Sequence, residues 1–131
     1  MAGASALISS ASAVGLSARE QAAHDAALQW LQLVDAGHSE EAASEASLEA
    51  SPLQHWLNYF NAQRAPLGKV HTRQLVEMKQ TSVFPGVPDV QRYYSIRFNT
   101  SFERKPHAIE QITIAKVGCC WEIFAYVISD K

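Results

Sequence analysis

Two cysteines, five prolines and six glycines are all that this 131-residue chain carries of the residues that staple, break or hinge a backbone. The cysteines, Cys119 and Cys120, are adjacent. Cα atoms across a trans peptide lie about 3.8 Å apart, short of the roughly 5.5 Å that an unstrained disulfide prefers. Two cysteines without a suitably spaced histidine also fail as a zinc site. They are expected to be small strand residues, one facing the core, with a redox role as the alternative. Long apolar runs are missing too: no stretch of 18 or more strongly apolar residues exists, so no membrane span is expected. No run of Lys or Arg interleaves with aromatics, so nucleic acid is not an expected partner. There is no glycine-rich phosphate loop and no Ser/His/Asp order. His24, His38, His55, His71 and His107 are scattered, with no pair at metal-ligand spacing, so neither a metal nor a cofactor is expected.

The N-terminus lacks charge. Met1 to Ala18 contains no ionisable side chain and is rich in Ala and Ser, with Leu7, Ile8, Val14 and Leu16 as its larger apolar groups. A secretory leader would have a basic start and a denser apolar centre. Residues 1–17 therefore read as a flexible tail or a degenerate leader, and residues 18–131 as a single domain. The compartment is left open by these residues.

What remains is ordinary for a globular domain: 47% hydrophobic and 18% charged residues. A chain of this size buries about two-thirds of its unfolded surface, enough for one core without metal or disulfides. Charge is unevenly placed. Residues 1–50 hold one arginine against seven carboxylates, and residues 51–131 hold ten Lys/Arg against six. The plain reading is that acidic helices complement a basic sheet within one fold. The sharper one is a sheet surface that attracts an anionic ligand.

The hydrophobic rhythm changes once, near Gly68, from helical spacing to strand alternation. Helices followed by a run of strands imply an α+β domain, with about three N-terminal helices packed on a four-stranded antiparallel meander. Ser17-Ala18-Arg19-Glu20 is a capping box. Behind it Ala23, Ala26, Ala27, Trp30, Leu31 and Val34 form one stripe, and Gly37 ends the helix near Ala36. A weaker helix is expected from Ser39 to about Glu49. A third opens with Ser51 as cap and Pro52 at its first position. It should bury Leu53, Trp56, Leu57 and Phe60 and stop near Arg64.

Strand one is expected from Val70 to about Lys79, followed by a loop at Pro85–Asp89. Tyr94, Ile96, Phe98, Thr100 and Phe102 form the cleanest inward face, with Tyr93, Ser95, Arg97, Asn99 and Ser101 opposite. Lys105-Pro106 marks a turn, Ile112 and Ile114 lie inward on strand three, and Gly118 precedes the last strand. That strand, Cys120 to Ile128, is apolar on both sides by strict alternation. Trp121, Ile123, Ala125 and Val127 fall on one side, Phe124, Tyr126 and Ile128 on the other. The surplus apolar face suggests a second covered surface or a homodimer through the sheet, and the dimer is the preferred reading.

Several of these residues form a recognisable combination. Trp30-Leu31-x-Leu33-Val34-Asp35-Ala36-Gly37 comes first, then Trp56 ahead of Arg64-Ala65-Pro66-Leu67-Gly68, and Arg73. Phe84-Pro85-Gly86-x-Pro88-Asp89, Phe98-x-Thr100-x-Phe102-x-x-Lys105, Glu110 and Trp121-x-Ile123-x-x-Tyr126-x-Ile128 complete it. From about residue 23 to 128 the chain resembles a bacterial family of small proteins known only as domain of unknown function four-zero-one-nine. The resemblance implies a curved antiparallel sheet cradling helices, similar to cystatin-like and nuclear-transport-factor-like cones. It also implies export and supplies no catalytic residues. The chain departs from the family pattern after the first helix, where an aromatic is missing. It departs again before the last strand, where Val117-Gly118-Cys119 replaces an Asp-Gly turn.

Cone folds often hold a pocket between sheet and helices. Glu110 shares parity with Ile112 and Ile114, and an isolated carboxylate there would be a candidate general base for isomerase or lyase chemistry. The competing reading pairs Glu110 with Arg64 or Arg73. Those arginines could clamp a carboxylate or phosphate bidentately, or brace the Pro66-Leu67-Gly68 corner. Tyr94 and Tyr126 are candidate donors to an oxyanion, and with Trp56 they are candidate ligand-binding residues. The function expected is a small-ligand or protein-binding module without catalysis. The alternatives are a cone-fold enzyme using Glu110 and a structural protein dimerising through its sheet.

Overall fold

In the computed structural model, residues 15–48, 50–81 and 92–130 are described. The expectations for the N-terminal tail up to residue 14 and for the Pro85–Asp89 loop fall outside them. Helix α1 spans Ala18–Asp35. Its N-terminus is held as the sequence predicts: the Glu20 amide donates to Ser17 Oγ and the Ser17 amide donates to Glu20 Oε1, at 3.1 and 2.9 Å. At the other end the Gly37 amide donates to the Val34 carbonyl and the His38 amide to that of Leu33, the paired bonds of a Schellman stop. Asp35 is thereby left as the last helical residue, where a negative charge opposes the helix dipole.

Helix α2 is shorter than expected, Ser39–Ser44. The predicted continuation to Glu49 fails because the chain leaves for the sheet edge. Ala46 bridges Ile123 in parallel, and the Ser47 amide donates to the Ile123 carbonyl at 2.7 Å. Only Ala side chains anchor α2, so little holds its next turn helical. Helix α3 is Leu53–Tyr59, with Pro52 rather than Ser51 at its cap position. Ser51 contributes its carbonyl, which accepts from Trp56 Nε1 at 3.2 Å. Trp56 and Phe60 are buried as expected, but Leu53 is exposed. The helix does not stop at Arg64. It widens into a π turn at Phe60–Arg64, tightens into a 3-10 turn at Ala65–Leu67 and ends at Gly68.

Strands β1 (Val70–Thr81), β2 (Tyr93–Phe102), β3 (Lys105–Val117) and β4 (Cys120–Ser129) form one antiparallel sheet in that order. Helices followed by this meander make the α+β class that the rhythm predicts. Strand β3 begins at Lys105, so Lys105-Pro106 lies in a strand and the turn is Glu103–Arg104. The inner face of β2 is buried at Tyr94, Ile96, Phe98, Thr100 and Phe102, as its alternation demands.

Strand β4 corrects strict alternation. Thr113 pairs with Ala125 but Ile114 pairs with Ile123, so Phe124 is an extra residue and a bulge. A bulge reverses parity beyond it. Trp121 and Ile123 on one side of the bulge, and Tyr126 and Ile128 on the other, all pack against the same core. Phe124 faces outward and is nevertheless buried, in a small cluster with Tyr93 and Ala115 beside Ala50. Part of the surplus apolar face is thus used within the chain.

The main core lies between sheet and helices. Trp30 sits at its centre, with the rings of Trp56, Phe60 and Tyr126 at 6.1, 5.8 and 5.2 Å. Its indole N–H donates to the Ala42 carbonyl at 2.8 Å, which ties α1 to α2 and satisfies a buried polar group.

Candidate functional site

Four charged side chains meet at the lower end of this core. Asp35 comes from the end of α1, Arg64 from the π turn, Arg73 from β1 and Glu110 from β3. Arg73 lies between the two carboxylates. Its Nε donates to Glu110 Oε1 at 2.7 Å and its Nη2 to Glu110 Oε2 at 3.2 Å. Nη1 and Nη2 also donate to Asp35 Oδ2 and Oδ1, at 2.9 and 3.1 Å. Arg64 adds a bond from Nη2 to Asp35 Oδ1 and one from Nη1 to the Gly68 carbonyl, while its guanidinium lies 4.6 Å over the Phe102 ring. Two positive and two negative groups cancel. The two arginines also offset the unfavourable place of Asp35 at a helix C-terminus.

Glu110 is fully buried and multiply bonded. Besides Arg73, it accepts from Thr100 Oγ1 at 2.6 Å and from Tyr126 Oη at 2.5 Å. Burial would by itself lower the pKa of Arg73, but the hydrogen bond to Asp35 and the charge of Glu110 outweigh it and hold the guanidinium above its ordinary value. Burial pushes the Tyr126 hydroxyl well up, and the neighbouring Glu110 charge adds to this, against a smaller opposing effect of Arg73 and Arg64. Both shifts keep the proton on its donor. The arrangement is a buried cross-brace joining α1, the π turn and all four strands.

Of the residues singled out from sequence, Glu110, Arg64, Arg73 and Tyr126 come together here. Trp56 lies in the aromatic core above, and Tyr94 is elsewhere, against Trp121 at 6.0 Å. Asp35 and Thr100 were not singled out. Asp35 carries a visible signal, an acid in the last turn of a helix. Thr100 carries another, a lone polar residue on the apolar face of β2.

Among the described residues, cavities border this framework. One of about 240 Å³ opens over Asp35 and Arg64 and is lined by Phe60 and Gly68. One of about 200 Å³ lies among Gln29, Trp30, Glu45 and Trp121. The largest of these three, about 690 Å³, is a groove on the opposite face of the sheet, away from the helices. Glu110 lines none of the three.

The floor of this outer groove is set by register. Thr72 pairs with Ser101 and Gln74 with Asn99, so neutral hydroxyls and amides stand in two cross-strand rows, while Ile109 beside Asn99, with Pro106 and Ala108, makes the lining of the β3 side apolar. His107 and Asp130 stand at one end, where Asp130 is ion-paired with Lys105. The next row along carries charge, with Glu77 beside Arg97 at 3.9 Å. Sequence reasoning missed these residues because outward polar positions read as ordinary solvated strand surface. The available signal was their neutrality on a sheet that carries charge at the next outward row. Among the described residues, no group of three or more His, Cys, Asp or Glu is placed to hold a metal ion. Among them too, no helix is long and apolar enough to cross a membrane.

The two cysteines overturn their expected role. Cys119 and Cys120 are both exposed, neither faces the core, and they are bonded to each other as a disulfide. Strand alternation would point them to opposite faces, but Gly118, with φ of 63°, turns the chain there. Val117 pairs with Cys120, which leaves Gly118 and Cys119 as a two-residue hairpin loop outside strand geometry.

Comparison with known proteins adds one finding. No curated protein and no solved structure matches the chain. A family model described as "Protein of unknown function (DUF4019)" matches residues 26–126, so the chain belongs to that family.

Proposed function

We propose that this protein is a non-catalytic binding module of the cystatin-like cone type, whose ligand seat is the outer groove between β1, β2 and β3. The observation that carries the reading is the groove's size and floor. About 690 Å³ falls within the range of small-ligand sites, and Thr72, Gln74, Asn99 and Ser101 offer donors and acceptors without fixed charge. Such a floor fits a neutral, hydroxyl- or amide-rich small molecule better than an anion. The inner side of the sheet argues against catalysis: Glu110 is bonded by three neighbours, whereas a general base needs an oxygen directed at a substrate proton. Arg64 and Arg73 are held by carboxylates and a backbone carbonyl, which favours bracing over anion clamping. A dimer through the sheet has less to build on than the sequence suggests, since Phe124 and Tyr93 are already buried. The export that the family resemblance implies agrees with a disulfide at Cys119–Cys120, a bond that persists in oxidising compartments.

Binding is tested by amide chemical-shift mapping with two probe sets, neutral sugars and polyols against small carboxylates and phosphates. The expected result is perturbation at Thr72, Gln74, Asn99 and Ser101 by neutral probes, lost in a Gln74→Leu/Asn99→Leu variant that still folds. Perturbation by anions alone, or confined to the cavity over Asp35 and Arg64, would overturn the assignment.

A further inference from the structure

We propose that Cys119 and Cys120 form a reversible thiol–disulfide site, open to small-molecule thiols, at the β3–β4 turn. The first support is what this bond cannot do. A disulfide stabilises a fold chiefly by closing a loop in the unfolded chain, and its effect grows with loop length. Here the sequence separation is 1, so the unfolded chain loses almost no freedom. A structural role is thereby removed, and the chemistry of the sulfurs remains.

The second support is access. Both cysteines are exposed at the tip of a hairpin, and the core contacts of β4 begin only at Trp121. A thiolate needs an open line to one sulfur to displace the other, and nothing in the core has to open to provide it. The third support is the neighbour of Cys120. Trp121 is half-buried, lies 6.0 Å from the Tyr94 ring and lines the 200 Å³ cavity with Gln29 and Glu45. A change of covalent state at Cys120 is therefore transmitted to a residue that touches both the core and a cavity.

The step balances with two small thiols. The first, as thiolate, attacks one sulfur; the S–S bond breaks, a mixed disulfide forms, and the other cysteine leaves as a thiolate. The second thiol attacks the mixed disulfide, releases the small-molecule disulfide and leaves both cysteines reduced. Two electrons pass from the two small thiols to the pair, and their protons end on the cysteine sulfurs. The reduced pair is a vicinal dithiol. It condenses with a trivalent arsenoso compound to a cyclic dithioarsinite, losing one water and changing no oxidation state.

The test uses the full chain under native conditions. Oxidised protein is treated with glutathione or dithiothreitol, alkylated with iodoacetamide and weighed; phenylarsine oxide is added to a parallel reduced sample. The expected result is alkylation of both cysteines only after reduction, recovery of the disulfide on reoxidation and one bound arsenical per chain. Arsenical binding should vanish in Cys119→Ser. Tryptophan emission should change on reduction, and a Trp121→Phe variant should lose that change. The Cys119→Ser/Cys120→Ser variant should keep the unfolding midpoint of the parent. Cysteines that react only in denaturant, or a double variant that loses its fold, would assign the pair to structure and overturn the proposal. A chain whose native thiols stay reduced in the presence of oxidised glutathione would overturn it equally. None of these readouts depends on the outer groove.

Discussion

Arg73 and Glu110 meet in a two-point contact, at 2.7 and 3.2 Å, with Glu110 fully buried. A guanidinium that matches a carboxylate at two points is held in one geometry, and here it simultaneously grips Asp35 on the last turn of α1. The pair therefore couples helix to sheet. Removing one partner leaves the other charge buried and uncompensated, a loss of about 3–5 kcal/mol. Arg73→Met is expected to destabilise by that amount in urea unfolding. Arg73→Lys should fall between it and the parent, since a point charge cannot span both carboxylates. Adding Glu110→Leu to Arg73→Met should recover part of the loss. A cost below about 1 kcal/mol for Arg73→Met would show that the brace contributes little.

Stability should fall at alkaline pH, and Tyr126 should be a main cause. Its hydroxyl is raised well above the ordinary value of 10.0 by burial first and by Glu110 second. A group that holds its proton more tightly when folded contributes fully below its unfolded pKa and loses that contribution as pH rises. The decline should begin near pH 10 and steepen by at most about 1.4 kcal/mol per pH unit for each such tyrosine. Tyr94 is raised in the same direction, again by burial first. Urea midpoints measured in steps across this range should flatten in Tyr126→Phe and more so in Tyr94→Phe/Tyr126→Phe. Equal slopes in parent and double variant would refute this origin.

How much of this was legible in the sequence differs by element. Helix α1 could be read at both ends, because its capping box and its Gly37 stop are local signals that tertiary contacts only reinforce. The inner face of β2 was equally plain, since five alternate residues there are buried without interruption. Strand β4 was not. One bulge at Phe124 moves Tyr126 and Ile128 onto the face of Ile123, and nothing in the local residues marks where the extra residue sits. The end of α2 was hidden for another reason, because the backbone of Ala46 and Ser47 is claimed by a strand far along the chain. At the charged brace, the sequence leaves Glu110 open to an unpaired role as general base or to a pair with Arg64 or Arg73, and the pair with Arg73 is the one formed. Its link through Asp35 to Arg64 required the Schellman stop and the π turn to bring distant residues together.

Gly68 is constrained by its surroundings as well as by its backbone. Its φ is 80°, and a Cβ there would lie 2.5 Å from Glu103 Oε1 and 2.9 Å from Glu103 Cβ. Its carbonyl also accepts from Arg64 Nη1. Gly68→Ala should therefore cost more than the roughly 1 kcal/mol typical of an alanine at positive φ with open space. Gly37→Ala is the control, since a Cβ there meets nothing within 4 Å at φ of 82°. Equal losses for the two in thermal or urea unfolding would remove the steric argument.

Two tyrosines of the same core should respond oppositely to loss of their hydroxyls. Tyr94 Oη is buried without a hydrogen-bond partner among the described residues, whereas Tyr126 Oη donates to the Glu110 carboxylate. A buried hydroxyl without a partner costs about 1–3 kcal/mol, and a hydrogen bond to a charged group contributes about 1.5–3 kcal/mol. Phenylalanine keeps each ring in place and removes only the oxygen. Tyr94→Phe should leave stability unchanged or raise it by about 1 kcal/mol, with the ring still against Trp121. Tyr126→Phe should lower it by about 1.5–3 kcal/mol. The comparison is made at neutral pH by urea unfolding, where neither hydroxyl is ionised. A loss above about 1 kcal/mol in Tyr94→Phe would mean that its oxygen is bonded in solution, and would remove the contrast with Tyr126.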